Sequence, residues 1–391
     1  MKRLEGHDIA LGGRSQGIDV LRGLAVLLVV LHHIHLRFQL NKYPVTDLVP
    51  EPLGRVLFWS GYYSVIAFFV ISGFLITTLS VRRWSSLPHI DLRHFYWLRI
   101  ARIVPCLVLL LCVSSVLHWQ EFTGFVINPN RATLGRALVA ALTFHVNWLE
   151  GRHGYLPGTW DVLWSLSVEE VFYIFFPLIC VAVRSERWLL PLLACMIAIG
   201  PLNRSLLVGN DPWESYAYLS CMDAMAFGCL AAWISARIKP SKSILRYALG
   251  GGIACILLIV VFRKTTFAIG LTANGLYITV LACGVALVLL ALANDVGNAT
   301  LSKGTAWLQS IGHRSYEIYL THMFVVLSGV NLFKRTAQPN EWIPIAHVVL
   351  LLLCLALGYA VARWYSEPAN RWLRTRFVKR PQPAQVHPTA A

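Results

Sequence analysis

The chain has 391 residues, of which 57% are hydrophobic and only 14% charged, and its mean hydropathy is +0.59. Soluble globular domains are close to a quarter charged, so the composition excludes an ordinary soluble domain and indicates a polytopic membrane protein. The net charge of +15 reads as basic cytoplasmic loops and not as a nucleic-acid footprint.

Residues 1–18 are a basic cytoplasmic segment that also holds Glu5 and Asp8. The apolar run after it has no small-residue cleavage site, which predicts a retained first span and not a cleaved leader. A span needs about 20 mostly apolar residues. Such segments fall near 19–35, 60–80, 102–119, 165–183, 188–206, 216–236, 245–262, 267–292, 313–333 and 343–364, within one membrane domain over 19–370. A further candidate, "TLGRALVAALTFHVNW" (133–148), is short. Counting it as a span would put the basic tail "RWLRTRFVKRP" outside, against the positive-inside rule. It is therefore read as a re-entrant or interfacial segment of an outer loop over about 120–164. Residues 371–391 form a basic, partly disordered tail. The expected fold is all-α, with about ten transmembrane helices and both termini cytoplasmic. No repeat of fixed period is present, which weakens a transporter reading. The nine cysteines form no CxxC pair and lie almost wholly in apolar runs. They read as small core or lipid-facing residues, with neither a disulfide framework nor a metal site.

The first span, "GIDVLRGLAVLLVVLHH", is the most informative. At about 100° and 1.5 Å per residue, Arg22 and His33 share a face and lie roughly 16 Å apart along the axis. Asp19 joins them one turn before Arg22, while His32 points elsewhere. A snorkelling arginine with a helix-start carboxylate would explain Arg22 and Asp19 as topology signals. A histidine at membrane depth, in line with that arginine, points instead to a cavity or partner, and its pKa suits a general base.

In the second span, "FFVISGFLIT" places Ser72 and Gly73 among bulky residues, which reads as close helix packing; Ser72 has no acid–base partner nearby in sequence. Arg99 and Arg102 in "RIARIVP" are one turn apart within a basic inner patch that includes Arg82, Arg83 and Arg93. Two guanidiniums at that spacing suit a phosphorylated ligand, with anionic lipid head groups as the competing one. In "WDVLWSLSVEEVFYIFFPL" the spacing of Ser167 and Glu170 fits a capping box. That leaves Glu169 at the outer mouth of a span, available to hold an imidazole or a substrate hydroxyl. Trp160, Trp164, Phe172 and Tyr173 read equally as an interfacial belt or a sugar platform. In "GHRSYEIYLTH", Tyr316, Tyr319 and His322 follow one another by single turns, with Glu317 on another face. Pro368 is expected to end the last span, with Glu367 paired to a basic neighbour.

In this order, the segments resemble acyltransferase family 3, the integral membrane O-acyltransferases. The likeness rests on Arg22 and His33 ten residues apart in between, on "FFVISGFLIT", on the Arg99–Arg102 pair, on "WSLSVEEVFY", on "SYEIYLTH" and on the "EP" at 367–368. It covers nearly the whole chain. Val171 departs from the glutamine common in the family, and the 391 residues hold no SGNH-type hydrolase domain, so the expectation is direct transfer or a separate partner. The resemblance implies transfer of an acyl group, acetyl first among candidates, from acyl-CoA (acetyl-CoA) to a hydroxyl of a glycan, glycolipid or glycosylated small molecule, in a bacterial plasma membrane. It assigns Arg22, Arg99 and Arg102 to the donor and His33 to catalysis, as base or as acyl carrier. Glu169 is a second catalytic candidate. Asp19, Trp164, Tyr316, Tyr319 and His322 are candidates for holding the acceptor or orienting His33. No metal is implied. The rival reading is a proton-coupled transporter or flippase with His33, Glu169 and His322 as a relay.

Overall fold

The computed structural model describes residues 15–45 and 49–378, so residues 1–14 of the basic N-terminal segment and 379–391 of the expected disordered tail lie outside it. Among the described residues there is no strand. Ten long helices dominate: α1 (Gln16–Leu40), α2 (Gly61–Trp84), α3 (Leu92–Trp119), α4 (Leu163–Val183), α5 (Glu186–Leu206), α6 (Tyr218–Arg237), α7 (Lys242–Val260), α8 (Leu276–Ala293), α9 (Ser315–Arg335) and α10 (Ile343–Val361). Nine helical segments among the described residues are long and apolar enough to cross a membrane. The remaining expected span is α9, which is less apolar because it holds Glu317, His322, Lys334 and Arg335. Its Glu317 and His322 are buried against neighbouring helices, as membrane-depth polar groups require.

The element boundaries correct several expectations. α3 begins ten residues earlier than 102, because Asp91 accepts from His94 N–H at 3.0 Å and caps the helix there. The stretch from 267 does not form one span with α8: a short helix, Arg263–Ala268, closes first, and α8 starts after Gly275, whose φ of +64° suits glycine. Pro368 does not stop the last helix. A π-helical turn over Ala362–Ser366 takes up the register, and Pro368 stands in the first turn of a continuing helix, Glu367–Phe377, where its missing N–H costs nothing. The segment 133–148 is no span. It forms two short helices, Leu134–Leu142 and Val146–His153, each far below membrane thickness.

α1 is central, packed against α2, α9, α10 and the short helix Ala306–His313. Small residues allow the closest approaches. A side chain at Gly73 on α2 would meet the Met225 carbonyl of α6, and one at Gly228 on α6 would meet the Val70 carbonyl of α2. α6 is also tied to α5 and α8 by a fully buried ion pair, in which Arg204 Nη2 lies 2.7 Å from Asp223 Oδ2, and Thr279 Oγ1 donates to the same oxygen at 2.7 Å. α5, α7 and α10 turn most of their surface outward. All nine cysteines are free thiols.

Candidate active site

Two histidines from the two central polar helices meet inside the bundle. His33 Nδ1 of α1 lies 3.1 Å from His322 Nε2 of α9. His322 Nδ1 is 2.6 Å from the Tyr319 carbonyl, and His33 Nδ1 is 3.0 Å from the Val29 carbonyl. A carbonyl only accepts, so both Nδ1 atoms carry hydrogen. His322 Nε2 then has a lone pair for the His33 Nδ1–H. His33 Nε2 is left with its own lone pair and with no hydrogen bond among the described residues. His322 is fully buried, whereas His33 keeps accessible surface. His32 turns away, its Nδ1 2.7 Å from the Phe58 carbonyl, with its ring over Gly61.

Toward the start of α1, past the fully buried Val29 and Val26 on the same face, stands a set of arginines. Arg22 donates from Nη2 to Ser315 Oγ at 3.0 Å and lies 3.9 Å from Asp19, which also faces His313 at 3.7 Å. Arg102 makes a two-pronged contact with Glu317, 2.8 Å from Nη1 to Oε1 and 3.4 Å from Nη2 to Oε2, and Ser366 donates to Glu317 Oε1 at 2.7 Å. That bond uses two of the five N–H donors of a guanidinium. Arg99 does not share this partner: its guanidinium stands 4.1 Å over the ring of Tyr173 on α4. Arg99 and Arg102 therefore sit on one helix turn, but each is anchored by a different neighbour.

α4 departs most from expectation. Ser167 and Glu170 do not form a capping box, because the helix starts at Leu163 and both lie inside it. Ser167 Oγ donates to the Leu163 carbonyl at 2.9 Å and accepts from Val146 N–H at 3.1 Å, while Glu170 is buried. Glu169 is likewise well inside the helix and not at its mouth. It accepts from Ser72 Oγ and from the Tyr173 hydroxyl. Among the described residues it makes no hydrogen bond to an imidazole; the side chain that reaches the His33 ring is His322. Trp164 is no open platform, since Tyr216 covers one face at 4.1 Å and the residue is buried; Trp160 is fully buried too. Tyr316 and Tyr319 act as clamps, the first donating to the Ile103 carbonyl at 2.8 Å, the second joined to Ser165 Oγ at 2.7 Å.

A family model described as an acyltransferase domain matches residues 15–376. The chain belongs to this acyltransferase family. It is 26% identical to a Staphylococcus aureus (strain COL) protein named "Putative O-acetyltransferase" over 88% of this chain and 56% of that protein. It is 26% identical to the peptidoglycan O-acetyltransferase OatA of Listeria monocytogenes serovar 1/2a over 91% of this chain and 60% of OatA. The chain thus spans little more than half the length of these curated relatives. No solved structure matches it.

Sequence reasoning about this acyltransferase domain missed four groups. Ser72 was set aside for want of a partner in sequence, yet it donates to Glu169 across 97 positions. Glu317, on another face from Tyr316, Tyr319 and His322 by helix spacing, is the anchor of Arg102. Asp161 and Glu150, in the outer loop, lie among apolar neighbours and are buried or half-buried together. Charge placed inside an apolar segment is the available signal for Glu317; for Ser72 and Glu150 the sequence offers none.

Proposed function

We propose that the protein is a membrane O-acyltransferase that moves an acyl group, acetyl in the simplest case, from cytoplasmic acyl-CoA to a hydroxyl of a carbohydrate-containing acceptor in a bacterial plasma membrane. The observation behind this is that His33 Nδ1 faces both the Val29 carbonyl and His322 Nε2, which leaves His33 Nε2 as an unprotonated, unengaged nitrogen in the interior of a member of an acyltransferase family. The relatives' names, which include peptidoglycan O-acetylation, favour a glycan acceptor and acetyl as the group.

In this reading Arg22, Arg99 and Arg102 hold the donor's phosphates through charge-assisted hydrogen bonds. Glu317 and Tyr173 keep two of those guanidiniums extended. Arg22 and His33 are roughly 16 Å apart along α1, with Val26 and Val29 packed on the face between them, so a thin acyl-bearing arm reaches the imidazole by parting these side chains from their neighbours. His33 Nε2 removes the acceptor hydroxyl's proton as the oxygen attacks the thioester carbonyl. The resulting imidazolium keeps its Nδ1–H on His322 Nε2. Collapse of the tetrahedral adduct breaks the C–S bond, and the proton passes from Nε2 to the leaving thiolate. General-base catalysis of this kind contributes about 10²–10⁴-fold.

The test is thiol release from acetyl-CoA by purified protein, with and without peptidoglycan fragments as acceptor. Acceptor-dependent release that disappears in His33→Ala, with the variant still folded in detergent, is expected. Full activity in that variant would remove the proposed base.

A further inference from the structure

The polar stripe of α1 runs on past His33. Arg37 follows by four residues, one turn further from the arginine cluster and on the same face, about 6 Å along the axis from His33 and roughly 22 Å from Arg22. Its guanidinium makes no hydrogen bond or ion pair among the described residues, and its Nε is buried without a partner. Its Nη2 lies against Gly158, close enough that a Cβ there would stand 2.8 Å away. Gly158 opens the turn Gly158–Asp161, and the Asp161 carboxylate is the chief charge that Arg37 feels.

Asp161 is held from two sides. Tyr216 donates to its Oδ1 at 3.1 Å, and the Tyr216 ring is fixed by face-to-face stacking on Trp164 at 4.1 Å. Behind it stands Glu150, fully buried. Glu150 Oε1 accepts from Leu156 N–H at 2.9 Å, while no N–H or hydroxyl of another residue reaches Oε2. Asp161 is the neighbouring charge that Glu150 feels. Two carboxyls so placed stay together when one keeps its proton. Burial, then the neighbouring Asp161, pushes the Glu150 carboxyl well above the usual carboxylate range. Glu150 therefore holds its proton beside Asp161, which Tyr216 orients next to a guanidinium with unspent donors.

We infer that Arg37 and Asp161 form the acceptor subsite, binding two neighbouring hydroxyls of a sugar ring so that a third points at His33 Nε2. One positive and one negative group sum to no net charge, which suits a neutral polyol and disfavours a phosphate; the surplus positive charge lies at the other end of α1. Glu150 and Tyr216 are positioning residues for Asp161. This inference rests on the O-acyltransferase reading above.

The experiment uses the full-length protein in nanodiscs with labelled acetyl-CoA and muropeptides as the acceptor probe, measuring KM for each substrate. Wild type is expected to transfer acetyl. Asp161→Asn and Arg37→Lys, both conservative enough to keep the fold, are expected to raise the muropeptide KM at least tenfold and to leave the acetyl-CoA KM within twofold. Transfer by wild type with unchanged muropeptide KM in both variants overturns the subsite. A rise confined to the acetyl-CoA KM overturns it too, by placing the pair on the donor. No transfer by wild type overturns the underlying acyltransferase reading with this acceptor class, and the subsite with it.

Discussion

His33 Nδ1 lies 3.1 Å from His322 Nε2, a second acceptor beside the Val29 carbonyl at 3.0 Å that keeps the proton on Nδ1, and the two together leave Nε2 as the nitrogen able to take a proton. With His322 truncated to Ala, Nδ1–H retains only the Val29 carbonyl, and nothing from α9 fixes the ring. His322→Ala should lower kcat by about 10²-fold, within the range of a mispositioned general base, with little change in acetyl-CoA KM. His322→Gln places an amide oxygen where it accepts from Nδ1–H and should recover part of the loss. A purely packing role for His322 would give equal defects in the two variants, so the comparison of their kcat values is the measurement that separates the two accounts.

Arg102 and Glu317 should behave as one unit. Glu317 is 1% exposed, so removing its cation leaves a buried carboxylate uncompensated, a loss of about 3–5 kcal/mol. Arg102→Ala should therefore lower thermal stability markedly as well as weaken donor binding. The double variant Arg102→Met with Glu317→Gln should regain most of the stability yet still bind acetyl-CoA poorly. Melting in detergent and acetyl-CoA titration on the same samples check both halves. If the double variant bound acetyl-CoA as wild type does, Arg102 would be a structural cation only.

The sequence showed the membrane class, most of the spans and the alignment of Arg22 with His33, because those follow from hydropathy and from helix period alone. His322 was visible as a histidine at membrane depth, but its partner was not, since 289 positions separate it from His33. The capping-box reading of Ser167 and Glu170 failed for a definite reason. The outer turn Gly158–Asp161 runs into α4 and moves the helix start upstream, so a serine with N-cap spacing ends up inside the helix. Pro368 misled in the same way: a π-helical turn lets the chain absorb a residue that usually closes a helix. In both cases local propensity was overridden by packing of the neighbouring segments.

Gly73 and Gly228 predict the cost of separating α2 from α6. A methyl group at either position would run into a carbonyl of the opposite helix, and backbone does not yield as a side-chain tip does. Gly73→Ala and Gly228→Ala should each destabilise the protein by about 1–3 kcal/mol, the usual penalty for overpacking. Gly250→Ala on α7, where a Cβ has open space, is the matched control and should leave the melting temperature unchanged within error. Equal melting temperatures for all three would mean the helices do not approach as closely as described.

Glu150 makes stability depend on pH in a predictable direction. It lies outside the spans, and burial, then the Asp161 charge, raises its pKa well above normal, whereas in the unfolded chain it titrates near its ordinary value of about 4.3. Above that value the unfolded chain has released this proton while the folded protein still holds it. Unfolding then gains a proton-release term, and stability falls by about 1.4 kcal/mol per pH unit from this group until the folded carboxyl also ionises. The contribution is thus complete below the unfolded value and is lost as pH rises through the folded one. Glu150→Gln cannot ionise and mimics the protonated side chain, so its melting temperature in detergent should be flatter between pH 5 and 8 than that of wild type. An equally steep decline in Glu150→Gln would show that another group governs this limb, and that the proton held against Asp161 is not on Glu150.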